Sequence, residues 1–206
     1  MTGSRRLPAY TAVKLSAEAR QHVRRFVTIT HLEMNSRSEL RPAGGTKVAV
    51  ALVRAEIPCP ELNRFLYVAV GADWSWYSRL PWDYARWLAY LDRPDLETWV
   101  AYVSGSPAGY FELERQSEGN VELAYFGLLP RFVGKGLGGA LLTAASATAW
   151  EMGATRVWVI TCDLDHPQAL RNYQARGFRV FRIEQNVEEL PDQPLEPWPG
   201  ARRDGR

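Results

Sequence analysis

The sequence predicts an α/β (α+β) fold in which a mixed, mostly antiparallel sheet is flanked by helices. Three stretches predict it. Residues 98–103 and 108–114 read as strands around a Ser-Gly-Ser-Pro turn, the pattern of an antiparallel hairpin. Residues 121–129 continue that meander after a second turn at 116–120. Residues 121–142 then pass from strand through a glycine-rich loop into an alanine-rich helix. A continuously apolar strand at 156–161 completes a βαβ unit, so one pairing must be parallel.

Taken in order, residues 1–25 are polar and Arg-rich and read as an N-terminal extension outside the catalytic unit. Residues 27–34 alternate and are rich in β-branched side chains, the mark of a first strand, and residues 46–57 read as a second. Pro60 and Glu61 suit the first turn of a helix ending near Val70. Residues 71–82 form a loop carrying Trp74, Trp76, Tyr77 and Trp82. A helix follows over 83–91, its apolar side chains at Tyr84, Trp87, Leu88 and Leu91. After the glycine loop the next helix runs to Gly153. The strand at 156–161 reads as buried on both faces because its middle is uninterruptedly apolar. A helix at 167–176, capped by Asp165 or His166, and a strand at 178–184 close the domain. The domain is expected to span 26–186, with 187–206 as a tail.

Composition narrows the function. A 206-residue chain that is 46% hydrophobic and 23% charged has the balance of an ordinary soluble domain. A net charge of +2 with no long basic run gives no reason to expect a nucleic-acid partner. The two cysteines, Cys59 and Cys162, have neither disulfide-framework nor metal-site spacing, so no metal is expected and a cytoplasmic location is. No run reaches the length of a membrane span, and no membrane partner is expected.

The glycine loop carries the chemistry. A strand that ends at glycines and opens a helix aims several backbone N–H groups at one point, with the helix dipole behind them. That arrangement binds phosphate. Gly134, Gly136 and Gly139 spell a dinucleotide fingerprint, with Asp163 at a plausible distance for a ribose contact. Position argues against it. Fewer than 70 residues follow the loop, too few for the remaining units of a doubly wound fold, and residues 130–133 separate strand from glycines.

The alternative pattern is Arg131-x-x-Gly134-x-Gly136, which resembles the acetyl-CoA motif of the GNAT superfamily of N-acetyltransferases. The element order is similar to the GNAT fold over about residues 27–184, with an extra N-terminal strand. A closing Tyr173-x-x-x-Gly177-Phe178 matches a second family motif. The resemblance implies an acetyl-CoA-dependent N-acetyltransferase working by direct attack of a primary amine. Phe126, Gly127, Leu128 and Leu129 would pair with the pantetheine arm. Amides of Phe132, Val133, Gly134, Lys135, Gly136 and Leu137, with Gly138 beside them, would hold the pyrophosphate, and Arg131 and Lys135 could add charge. His166 stands where the family usually has an Asn contacting the cofactor arm. Tyr173 would protonate the leaving thiolate, a role for which a phenol is suited because it stays protonated near neutrality.

The base would be a strand carboxylate, with Glu122 preferred over Glu112 and Glu114. Glu122 and Ala124 are expected to share a face. Trp74, Trp76, Tyr77 and Glu112 would shape the acceptor site for an amine-bearing small molecule or peptide, and a homodimer stays open. Cys162, at a strand end, is read as core rather than as a nucleophile. The competing reading is a non-catalytic acyl-CoA-binding module with a protein partner.

Overall fold

The computed structural model describes residues 22–46, 48–192 and 196. Its strands are β1 (His22–Met34), β2 (Ala51–Ala55), β3 (Leu96–Val103), β4 (Ser106–Arg115), β5 (Asn120–Leu128), β6 (Arg156–Cys162) and β7 (Arg179–Pro191). The α-helices are α1 (Pro60–Gly71), α2 (Tyr84–Leu91), α3 (Leu137–Glu151) and α4 (Ala169–Ala175). The strands form one sheet in the order β2-β3-β4-β5-β6-β1-β7. Only β5 and β6 are parallel; every other neighbouring pair is antiparallel. The fold class expected from sequence is therefore the one observed.

The hairpin turn is shorter than the sequence suggests. Ser104 and Gly105 alone make it, with φ of 49° and 80°. Two left-handed residues in a row give a turn whose twist matches that of the strands, so Pro107 falls inside β4 opposite Tyr102. A bulge alters the next pairing. Glu112 opposes Tyr125 while Leu113 opposes Leu123, which leaves Ala124 as the extra residue. Simple alternation thus fails. Glu122 shares its face with Tyr125, not with Ala124, and Leu123 and Phe126 point the other way.

Three elements depart from expectation at the ends of the chain. The second strand shrinks to Ala51–Ala55 at the sheet edge. β1 begins at His22 and lies between β6 and β7, so residues 22–25 belong to the sheet; residues 1–21 lie outside the described set. β7 runs to Pro191, past the expected boundary at 186, while most of the expected tail (193–195 and 197–206) is likewise outside the described residues. Pairing of β1 with β6 ends at Ile29↔Cys162, but pairing with β7 continues to His22↔Pro191. A two-stranded ribbon therefore overhangs the end of β6.

Helix α3 covers one sheet face, where Leu141, Leu142 and Ala145 pack with Leu32, Leu113, Leu123, Val157 and Val159. On the opposite face α1 packs Leu66 and Val70 against Val100 and Tyr110. A buried polar knot ties the segment after α1 to this face. Glu112, fully buried, accepts hydrogen bonds from Asn63 Nδ2 (3.0 Å), Arg79 Nη1 (2.9 Å) and the Tyr90 hydroxyl (2.8 Å). The Arg79 guanidinium lies between the rings of Tyr90 and Tyr125, 3.8 and 4.0 Å from their centroids.

Candidate functional site

β5 and β6 pair only from Asn120↔Arg156 to Glu122↔Trp158 and then diverge. From Leu123 onward, β5 turns an unpaired edge toward the split, a surface onto which an extended ligand can add as another strand. A cavity of about 780 Å³ fills the split. It reaches Phe126 and Leu128, which pack with the α3 core, and also Tyr125 and Trp76, which lie on the α1 side. The opening thus connects the two faces of the sheet.

At the α3 end it meets Gly134, Gly136 and Gly138. Gly134 and Gly136 have φ of 79° and 76°, and nothing lies within 4 Å of where a Cβ would stand on either. Conformation and an open cradle, rather than tight packing, require glycine at these two positions. Gly139 is different: a Cβ there would stand 2.5 Å from an Arg176 guanidinium nitrogen and 3.2 Å from the Ala43 Cβ, so its surroundings are packed rather than open. The N–H groups of Phe132 and Val133 already donate to Leu129 and Pro130 carbonyls, and Leu129 N–H donates to Ala108. Among the described residues, the amides without a backbone partner begin at Gly134, continue through Lys135 and Gly136, and lead into the first turn of α3.

Arg131, Phe132, Lys135, Leu137 and Leu129 do not line the cavity. Arg171 does, and it makes no ion pair among the described residues. Asn172 lines it too, its Nδ2 donating to the Gly138 carbonyl at 3.3 Å. Sequence reading passed over both. Their signal was only their place, one and two residues before Tyr173.

Tyr173 stands in the wall of the split, 5% exposed, its ring against Phe126 and Phe178. Burial, with the Asp165 charge nearby, pushes its pKa well above that of a free phenol, so it keeps its proton throughout the working pH range. Asp165, read from sequence as a helix cap, instead accepts from Thr161 Oγ1 (2.7 Å) and the Cys162 N–H (3.1 Å), and the Trp76 side chain donates to it. The cap of α4 is Gln168. Burial and Asp165 raise the Cys162 thiol to about 11, which keeps it a poor nucleophile.

The α1 side of the opening carries Trp74 and Trp76. Trp76 lies 4.9 Å from the Tyr125 ring, and Trp74 meets His166 at 5.1 Å. His166 lines the cavity with its Nδ1 accepting from the Gln168 N–H. Tyr77 lies outside the lining, and Trp82 packs on Trp87 and Tyr90. Glu112, expected at the acceptor site, is also outside the lining, and its carboxylate accepts from Asn63, Arg79 and Tyr90 in the buried knot.

Glu122 is half-buried and accepts from Gln116 Nε2 at 2.7 Å. It does not itself line the cavity, but Leu123 beside it does, as does Ile160, two residues beyond its partner Trp158. Burial first, and the facing Glu114 second, raise its pKa above the ordinary carboxylate value. β6 proves buried on one face only. Ile160 is 42% exposed because the divergence of β5 leaves that face bare.

A mixed sheet split between its parallel strands, with a glycine cradle at one end of the split, defines an acyltransferase fold. Residues 59–178, more than half the chain, match the acetyltransferase (GNAT) family, and the chain belongs to it. It is 35% identical over 96 residues to an uncharacterized N-acetyltransferase of Mycobacterium tuberculosis, a match covering 47% of this chain and 61% of the relative. It therefore spans less than two thirds of that relative's length.

Among solved structures, a GCN5-related N-acetyltransferase from Kribbella flavida is similar with a TM-score of 0.57, covering 82% of this chain and 61% of that one at 18% identity. IAA acetyltransferase from Bacillus cereus is similar with a TM-score of 0.51, covering 65% of this chain and 79% of that one at 25% identity. No helix among the described residues is long and apolar enough to cross a membrane.

Proposed function

We propose that this acyltransferase moves the acetyl group of acetyl-CoA to a primary amine by direct attack. The observation that carries the reading is the open edge of β5 leading to unpartnered amides at residues 134–136, a surface suited to a pantetheine arm ending in a diphosphate. Acetyl-CoA would supply the activated thioester. Leu123 to Leu128 of β5 would hold its arm by main-chain pairing, the residue 134–136 amides and the α3 N-terminus would take the diphosphate, and Arg171 would add a cation. As the amine nitrogen bonds the carbonyl carbon and the carbon–sulfur bond breaks, Tyr173 gives its proton to sulfur. Glu122 removes the amine proton through water, and the protonated Cys162 takes no part.

Titration of wild-type protein and a Gly136→Ala variant with CoA by calorimetry tests the cofactor assignment. The alanine must adopt a positive φ, a strain of about 1–2 kcal/mol, and its methyl enters the cradle, so affinity should fall at least tenfold. Equal affinity in both would sink the cradle reading. The proton path has its own test. A base must be ionised to work, so kcat should climb with rising pH through one ionisation above the ordinary carboxylate range. Glu122→Gln should abolish that limb and lower kcat about 10²-fold; an unchanged limb would move the base elsewhere.

A further inference from the structure

We infer that the acceptor is a cationic amine on an apolar or aromatic body, with no carboxylate of its own. It would be received between the residue 74–76 loop and the overhanging ribbon of β1 and β7. The inference rests on the acetyl-transfer reading above and deepens it.

The cavity does not stop at the split. On the α1 side it continues along β1 at Val27 and Ile29, and along β7 at Glu188 and Leu190. Register explains why these four meet. Val27 and Ile29 alternate with Thr28 on one face of β1, and their partners Asn186 and Glu184 put Glu188 and Leu190 on that same face of β7. Because β6 ends at Cys162, opposite Ile29, nothing in the sheet fills the space beyond it, and the ribbon becomes a wall. The same cavity is lined by Trp74, Trp76, Ile160 and Cys162. Indole and branched aliphatic side chains offer apolar surface to a ring or hydrocarbon and few partners for a polyhydroxylated ligand.

Charge selects further. Among the described residues, the carboxylates lining the cavity are Asp165, beside Cys162, and Glu188, on the ribbon. The cation Arg171 belongs to the cofactor side, on α4. Arg25 opposes Glu188 in register but is not a lining residue and makes no ion pair with it. An ammonium entering here meets negative charge over apolar walls, whereas a carboxylate on the acceptor would be repelled. Both strands of the ribbon lie outside residues 59–178, whereas Trp74, Trp76, Ile160 and Cys162 lie within them.

The test is steady-state release of CoA thiol with 2-phenylethylamine, phenylalanine and kanamycin as acceptors, alongside calorimetric titration with CoA. For the wild type, kcat/KM should be at least tenfold higher for 2-phenylethylamine than for either of the others. Exposed Glu188 can be changed without threatening the core. Glu188→Gln should raise KM for 2-phenylethylamine about threefold and Glu188→Lys about tenfold, with kcat and CoA affinity within twofold. Preference for kanamycin or phenylalanine, an unchanged KM in both variants, or CoA binding with no turnover of 2-phenylethylamine overturns the inference while leaving the cofactor site standing. Loss of CoA binding in the wild type overturns the acetyl-transfer reading itself.

Discussion

Tyr173→Phe should lower kcat by about 10²-fold or more while CoA affinity stays within twofold. The substitution deletes one oxygen and keeps the ring, and the ring is what touches Phe126 and Phe178. The hydroxyl makes no hydrogen bond that would be lost among the described residues, so stability should change little. Only a proton donor would be missing. Its raised pKa sharpens the expectation: the wild-type rate should show no alkaline fall assignable to Tyr173 below about pH 10, because the phenol stays protonated there. Thiol-release kinetics and calorimetry separate the outcomes. A matching loss of CoA affinity, with kcat little changed, would mean that the residue is a binding or packing group and not the acid.

Glu112→Ala should destabilise the fold by about 3–5 kcal/mol, because it leaves Arg79 buried and charged without its counter-ion. For a domain of this size that corresponds to a fall of roughly 6–20 °C in Tm. Burial works against the Arg79 charge and Glu112 is the main group that offsets it, yet a guanidinium does not deprotonate in the working pH range, so without Glu112 the buried charge stays uncompensated. Replacing both partners by apolar residues, as in Glu112→Leu with Arg79→Met, should recover most of the loss, since no charge remains to be solvated. A loss below about 1 kcal/mol in the single variant, measured by urea unfolding, would show that water reaches the knot. Loss of the Glu112–Arg79 contact would also loosen the segment that carries Trp74 and Trp76, so KM for the amine should rise in any Glu112→Ala protein that stays folded.

Local pattern revealed the sheet's middle and the glycine loop because each depends on short-range signals. Glycines at 134 and 136, the hairpin residues Ser104-Gly105 and the Pro60 helix start all act within a few residues of themselves. The acceptor side depends on pairings between distant segments, and those leave weak marks. Residues 187–191 read as the start of a tail because their side chains are mostly solvent-facing, yet their backbone is paired to β1. Residues 156–161 read as doubly buried because composition cannot reveal that a parallel neighbour departs after Trp158. Nor does any residue type announce the Ala124 bulge, which shifts Tyr125 onto the acceptor face. The roles of Asp165 and Glu112 exchanged for a related reason. Each is an ordinary acidic letter, and only the fold decides which is consumed by an arginine and which borders the opening.

The seat of β1 between β6 and β7 also dictates the sequence of events as the chain is made. β2 to β5 can zip together from contacts close in the chain, but β1, synthesised first, must hold its apolar residues unpaired until two strands from the far end emerge. Such long-range closure is slow, and an unpaired edge is open to wrong partners while it lasts. The pairing of β1 with β7 is then also the step that closes the wall of the proposed acceptor site. A nascent chain could own a cofactor cleft before it owns any selectivity.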